Sequence, residues 1–131
     1  HCANLWRTLD EKWKCPGCER TKFQIMRWTK RKVDPKTGKK VLPYLDWMGV
    51  LNRHHDHSQG HSEFGRGRFA ETVICGQCNA ADGCAKRELN LPKDFSFSPL
   101  EIRKFVTPCN HAKHTINQSI AWQIYKEVRG L

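Results

Sequence analysis

The stretch that decides the fold is Cys75-Gly76-Gln77-Cys78-Asn79, and it has an upstream counterpart in Cys15-Pro16-Gly17-Cys18. Two cysteines separated by two residues place both sulfurs on the same side of a tight turn. Four thiolates suit Zn(II) in tetrahedral geometry and leave no open coordination position. The two pairs therefore predict a structural zinc ion held by Cys15, Cys18, Cys75 and Cys78, with unpaired thiols as the alternative.

Between the two pairs lies the run His54-His55-Asp56-His57. Side chains alternate across a strand, so His55 and His57 would share one face and His54 and Asp56 the other. A neutral imidazole near pH 7 can take a proton from water, and an imidazole or a carboxylate can hold a divalent metal. Asn79 could add a neutral oxygen ligand, or it could simply cap the following helix. A second zinc site in the histidine run is a rival interpretation.

Composition narrows the class of protein. The chain has 131 residues and a net charge of +10, which predicts one domain and a polyanionic partner, nucleic acid first. A basic surface kept for solubility is the alternative. No apolar run approaches membrane-span length and no signal peptide opens the chain, so we expect a cytoplasmic protein without a membrane partner. The chain begins at His1, as expected of a fragment or a processed product.

Seven cysteines without an export signal favour metal binding over disulfides. The three cysteines outside the two pairs are expected to be ordinary free or buried thiols; they are Cys2, Cys84 and Cys109. The pattern assigns no role to His111 or His114.

The predicted elements alternate between helix and strand. Residues 1–14 suggest a short amphipathic helix, and residues 22–46 suggest a basic β-hairpin that turns at Asp34-Pro35-Lys36-Thr37-Gly38. Strands are expected from Trp47 to His55 and over 72–74, followed by a helix from Ala80 to about Leu89. Two C-terminal helices are predicted within about 98–129, each opened by a capping box, at Ser98 and at Thr115.

Basic side chains are concentrated in the hairpin and in the loop that follows the histidine run. They can grip phosphates, or the hairpin lysines can protect an exposed sheet edge. The predicted nucleic-acid-binding residues are Lys30, Arg31, Lys32, Lys36, Lys39, Lys40, Arg66 and Arg68.

The order of motifs resembles that of the HNH nucleases with the ββα-metal fold: first a Cys-x-x-Cys pair, then a histidine-rich strand end, then the run from Cys75 to Gly83. The resemblance is to the zinc-containing endonuclease VII type, phage enzymes that resolve branched DNA, and it is specific over residues 52–90. It implies an α+β fold: a ββα-metal core at about 47–90 on a Zn(Cys)4 site, with a basic hairpin insertion and C-terminal helices. Residues 1–131 would form a single HNH nuclease domain of prokaryotic or phage type.

The resemblance also implies roles. His55 matches the general base, His54 stands where the family usually has a metal-binding Asp, and Asn79 matches the Asn of the metal site. His57 matches a histidine that contacts the phosphate. In an alternative register, Asp56 is the ligand and His57 the base.

Two acidic residues, Glu71 and Asp82, stand at positions where the family has a residue near the site. Asp82 replaces a family acidic residue near the site. Glu71 stands where the family often has Arg, a function that Arg66 or Arg68 could take over.

The implied activity is Mg²⁺- or Mn²⁺-dependent hydrolysis of double-stranded or branched DNA to 5′-phosphate and 3′-hydroxyl ends. Restriction, defence and junction-cleaving enzymes are all compatible with it, and symmetric double-strand cleavage would require a homodimer. A zinc-stabilised nucleic-acid-binding module without catalysis is the alternative.

Overall fold

The computed structural model describes residues 2–56 and 68–131, which form a small α+β structure. Its helices are α1 (Cys2–Thr8), α2 (Lys22–Ile25), α3 (Gly76–Glu88), α4 (Pro99–Phe105) and α5 (Gln118–Arg129). Its strands are β1 (Arg27–Val33), β2 (Lys40–Met48), β3 (Leu51–His54), β4 (Thr72–Cys75), β5 (Val106–Thr107) and β6 (Thr115–Ile116). The strands pair as three separate antiparallel hairpins, β1–β2, β3–β4 and β5–β6.

The predicted basic hairpin is confirmed, with shifted boundaries. It begins only at β1, because Thr21 caps the short helix α2 in a capping box with Gln24. At the turn, the Gly38 N–H donates to the Asp34 carbonyl at 2.8 Å, and Gly38 adopts a φ of 73°. That left-handed conformation is one that glycine adopts without steric cost.

The single strand predicted from Trp47 to His55 is wrong, because β2 ends at Met48 and β3 begins at Leu51. At the interruption, the backbone of Gly49 lies against the indole of Trp6. A Cβ added at Gly49 would lie 2.5 Å from a ring carbon of that indole. The glycine therefore permits a close approach of helix α1 at the point where the chain leaves one hairpin and enters the next.

The β3–β4 hairpin runs directly into α3. Leu51 pairs with Cys75 at one end of the hairpin, and His54 pairs with Thr72 at the other. The histidine run therefore begins at the end that is farther from Cys75. Helix α3 begins at Gly76, four residues before the predicted start, because Cys75 is its N-cap and accepts from the Cys78 N–H. The alternative in which Asn79 caps the helix is therefore wrong.

The C-terminal region packs around buried phenylalanines. The capping box at Ser98 is confirmed, whereas the one at Thr115 is wrong: Asn117 caps α5, because Thr115 is engaged in β6. Phe97 is fully buried, with ring centroids 4.9 Å from both Phe95 and Phe105. Among the described residues, no helix has the length and apolar character needed to cross a membrane.

Candidate functional site

The four predicted zinc ligands come together. The sulfurs of Cys15, Cys18, Cys75 and Cys78 all lie within 4.8 Å of one another, and all four residues are buried. The Cys15–Cys78 and Cys18–Cys75 sulfur distances are each 3.7 Å. Such spacing suits one tetrahedral ion, since two sulfurs at bonding distance from the same zinc are separated by a little under 4 Å. The cluster could therefore hold a structural metal such as zinc.

The first cysteine turn is shaped for close packing against the second. The chain from Cys15 to Arg20 is closed into a loop by a hydrogen bond in which the Cys15 N–H donates to the Arg20 carbonyl at 2.9 Å. A Cβ added at Gly17 would lie 2.7 Å from the Cys78 sulfur, so any larger side chain would push the two turns apart. The glycine between Cys15 and Cys18 is thus required by the sulfur cluster itself.

Arg20 is a functional residue that the sequence patterns missed. It is 3% exposed, and its guanidinium lies 3.3 Å from the Cys18 sulfur and 3.5 Å from the Cys75 sulfur. Burial lowers the pKa of Arg20, but the hydrogen bonds to these sulfurs outweigh burial and leave it above its usual value. The cation offsets the negative charge of a four-thiolate site.

The same guanidinium connects the cluster to the C-terminal region, because Nη1 donates to the Cys109 carbonyl at 2.6 Å. Nearby, Nε2 of His114 lies 3.3 Å from the Cys78 sulfur. Nothing in the spacing of His114 marked it as a neighbour of the cluster. Hydrogen bonding from Cys15 lowers the pKa of the Cys75 thiol, and hydrogen bonding from Cys15 raises that of Cys78, so without a metal the four sulfurs share protons unequally.

His54, at the end of β3, is buried at 4% exposure. Its Nε2 lies 2.7 Å from the carbonyl oxygen of Phe97. Its ring stacks on Phe69, with centroids 5.2 Å apart and planes 17° apart. Since a carbonyl oxygen can only accept, Nε2 carries a hydrogen, and in the neutral ring Nδ1 is the nitrogen with a lone pair.

The backbone N–H of Phe97 is bound by a side chain of helix α3. The Phe97 N–H donates to Oδ1 of Asp82 at 2.8 Å, and Lys86 Nζ lies 3.0 Å from Oδ2. Asp82, which was expected near the site, therefore has both carboxylate oxygens engaged within the protein. Asn79 precedes Asp82 by three residues in the same helix, and such residues are neighbours on one helix face. Asn79 consequently lies one helical turn before Asp82, on the same side of α3.

The next residues of the histidine run diverge. The His55 side chain is 43% exposed, and its Nδ1 lies 3.9 Å from a carboxylate oxygen of Glu71. Asp56 is 1% exposed, and its carboxylate accepts the backbone N–H of Arg68. His57 lies outside the described residues. The choice between the two registers of the run stays a prediction.

The predicted DNA-contacting residues differ in how much of their charge is available. The Arg68 guanidinium is bound to Glu101 at 2.9 Å, and Arg31 Nε lies 2.9 Å from Asp46. Arg66 lies outside the described residues. The hairpin lysines are exposed; they are Lys30, Lys32, Lys36, Lys39 and Lys40.

Comparisons of the chain with protein-family models, with curated proteins and with solved structures found no match. The residues of the site and their contacts therefore carry the functional interpretation.

Proposed function

We propose that this protein is a divalent-metal-dependent DNA endonuclease of the HNH type, with β3, β4 and α3 as its ββα-metal core. The order of the elements supports this proposal, since an antiparallel hairpin runs without interruption into a helix of 13 residues. The side chains with the relevant chemistry occupy two places in that unit. His54 and His55 are at the end of β3, and Asn79 is near the start of α3.

The observation that carries the proposal is the bond between His54 and the Phe97 carbonyl. Histidines that bind metals almost always donate their second ring N–H to a carbonyl or a carboxylate, which fixes the tautomer and aims the other nitrogen. His54 has this arrangement, with Nδ1 as the nitrogen that keeps a lone pair. A buried histidine with a purely structural role could make the same bond, so the two interpretations must be separated by substitution.

In the proposed reaction, His55 is the general base. Its exposed ring faces Glu71 through Nδ1, so Nε2 is the nitrogen on the side away from that carboxylate. His55 would take a proton from a water molecule as the water attacks the phosphorus, and the bond from phosphorus to the 3′ oxygen would break. The products would carry a 5′-phosphate and a 3′-hydroxyl.

His54 and Asn79 would hold the divalent ion, Mg²⁺ or Mn²⁺. When bound, such an ion neutralises charge on the scissile phosphate and stabilises the leaving oxygen. The four-cysteine zinc site would have no part in the chemistry, because it has no open coordination position. It would instead hold α3 against the upstream cysteine turn.

Nicking of supercoiled plasmid DNA tests the proposal, with Mg²⁺, Mn²⁺ or EDTA in parallel reactions. We expect nicking with a divalent ion and none with EDTA. His55→Ala should lower the rate by about 10²- to 10⁴-fold, the usual contribution of a general base. Asn79→Ala should also lower it, whereas the control Asn110→Ala, an exposed residue elsewhere, should not. Nicking by His55→Ala at the parent rate would show that the base is misassigned.

The alternative is a zinc-stabilised DNA-binding module without catalysis, and the exposed basic hairpin is the observation that favours it. This module would bind DNA with an affinity that falls steeply with salt, and the binding would survive simultaneous loss of His54, His55 and Asn79. It would not cleave at any metal concentration. Double-stranded or branched DNA is the proposed partner in both cases.

A further inference from the structure

A row of four aromatic rings runs across the surface from α2 to the β1–β2 hairpin. Phe23 and His111 have ring centroids 4.9 Å apart, His111 and Trp47 5.2 Å, and Trp47 and Trp28 5.4 Å. Each ring meets the next at 62° to 81°, an edge-to-face arrangement that leaves part of each ring face open. We call these four residues the aromatic row.

Three members of the aromatic row are large and apolar and yet exposed, and His111 is partly exposed. Phe23 is 69% exposed, Trp28 is 54% exposed and Trp47 is 41% exposed. His111 is fixed in place, since its Nδ1 lies 3.0 Å from the Met26 carbonyl. Contiguous exposed apolar surface is typical of interaction sites. The row thus has the character of an interaction surface.

The charge beside the row indicates what that molecule is. Trp28 and Trp47 are paired across the hairpin, and Lys30 and Leu45 form the pair two residues further along the same face. The acidic residue of strands β1 and β2, Asp46, occupies the opposite face and is bound to Arg31 at 2.9 Å, and the other acidic residue of the hairpin, Asp34, lies in the turn. On strands β1 and β2, the aromatic face therefore carries the cation Lys30 and no acidic residue, in a chain whose net charge is +10.

We propose that the aromatic row binds unpaired nucleotides, whose bases stack on the rings of Trp28, Trp47 and Phe23 while Lys30 contacts the phosphates. Aromatic side chains combined with a cationic track are the usual means of binding single strands. Paired bases in a duplex hide their faces in the helical stack, so the row would distinguish single-stranded segments from duplex. This binding goes beyond the proposed cleavage and does not depend on it.

Fluorescence anisotropy of a labelled oligothymidine of about 12 nucleotides, a length within the range of single-strand binding sites, tests the proposal. Trp28→Ala should weaken binding by about 5- to 150-fold, the loss expected for one stacked base. Trp28→Phe should keep most of the affinity. Trp122→Ala is the control, because Trp122 is also an exposed tryptophan, at 39% against 54% for Trp28, and lies on helix α5 outside the row. This variant should bind as the parent does.

Two further measurements keep the result unambiguous. Trp28→Ala could weaken binding by opening the hairpin locally. Phe23 lies outside the hairpin, in α2, so Phe23→Ala is free of that effect and should also weaken binding. An abasic oligonucleotide of the same length should bind at least about 5-fold more weakly than oligothymidine. Equal affinity for the two would overturn the proposal, because the contact would then be to phosphate alone. Unchanged oligothymidine binding by Trp28→Ala and Phe23→Ala, with loss of self-association in sedimentation, would make the row a contact between copies of the chain.

Discussion

His54 and Asp82 hydrogen-bond to opposite sides of the same residue, Phe97. Nε2 of His54 lies 2.7 Å from the Phe97 carbonyl oxygen, and the Phe97 N–H donates to Oδ1 of Asp82 at 2.8 Å. All three residues are buried. The end of strand β3 is thereby joined to helix α3 through a segment of the C-terminal region, and that segment positions the histidine.

Asp82 should act on the site through structure. Asp82→Ala removes the acceptor of the buried Phe97 N–H, which should cost about 1–3 kcal/mol of unfolding free energy. Asp82→Asn keeps an amide oxygen at the Oδ1 position and loses only the contact to Lys86, so it should cost less. Chemical denaturation measures both. If Asp82→Asn abolished nicking while keeping its stability, Asp82 would belong to the reacting groups.

His54 predicts a preference for Mn²⁺ over Mg²⁺ in plasmid nicking, because a nitrogen ligand suits Mg²⁺ poorly. His54→Asp should shift the preference toward Mg²⁺, since a carboxylate is the harder ligand. His54→Gln should keep the hydrogen bond to Phe97, because an amide N–H can replace Nε2–H, but it lacks the Nδ1 lone pair. This variant should remain folded and lose nicking. Full activity in His54→Gln would assign the histidine a structural role.

The four-cysteine cluster could be predicted from sequence because its members are marked by a fixed local spacing, Cys15-x-x-Cys18 and Cys75-x-x-Cys78. The hydrogen-bond partners of His54 and Arg20 could not be predicted in this way. Phe97 lies 43 residues beyond His54, and the carbonyl of Cys109 lies 89 residues beyond Arg20. A backbone carbonyl has no sequence signature, so contacts of this kind become visible only in the folded chain.

Two element boundaries differ from the predicted ones, at Gly49 and at the start of α3. The pattern predicts one strand from Trp47 to His55 because Gly49 is a single interruption in a run that is otherwise apolar up to Leu51. The contact that requires the glycine comes from Trp6, far away in sequence. The start of α3 was placed too late because cysteine is not among the usual N-cap residues. In this chain the Cys75 sulfur performs that function while it also belongs to the metal cluster.

Removal of the metal should unfold the chain. Structural zinc contributes on the order of 10 kcal/mol to the folding of small zinc domains. That is comparable with the whole stability of a typical domain. We expect a strong chelator to abolish the helical circular dichroism signal and stoichiometric zinc to restore it. Retention of the signal after zinc has been removed, as measured by atomic absorption, would contradict a structural role.

Two glycine substitutions should have opposite effects. Gly17→Ala should lower zinc affinity and stability, because the added carbon would lie 2.7 Å from the Cys78 sulfur. Gly83→Ala is the matched control. It lies within α3, where the added carbon meets only the flexible end of Arg87 at 3.3 Å. It should raise the free energy of unfolding by about 0.5–1 kcal/mol, the helix preference of alanine over glycine. Thermal unfolding and competition with a chromogenic chelator measure both variants.

Arg20 offers the sharpest test of how the cluster is joined to the rest of the fold. Arg20→Ala leaves the sulfurs of Cys18 and Cys75 without their cation and the Cys109 carbonyl without its donor. Loss of one partner from a buried charged network costs about 3–5 kcal/mol. Arg20→Lys keeps the charge but cannot reach sulfurs and carbonyl together, because an ammonium lacks the planar fork of a guanidinium.

We therefore expect stability to fall in the order parent, Arg20→Lys, Arg20→Ala, with faster zinc release in the same order. Lys104→Ala, an exposed basic residue on α4, should change the unfolding free energy by less than about 0.5 kcal/mol. If Arg20→Lys equalled the parent in both measurements, charge alone would explain the role of Arg20. If zinc release accelerated without loss of stability, the guanidinium would tune the metal site and the C-terminal region would be anchored by its phenylalanine core.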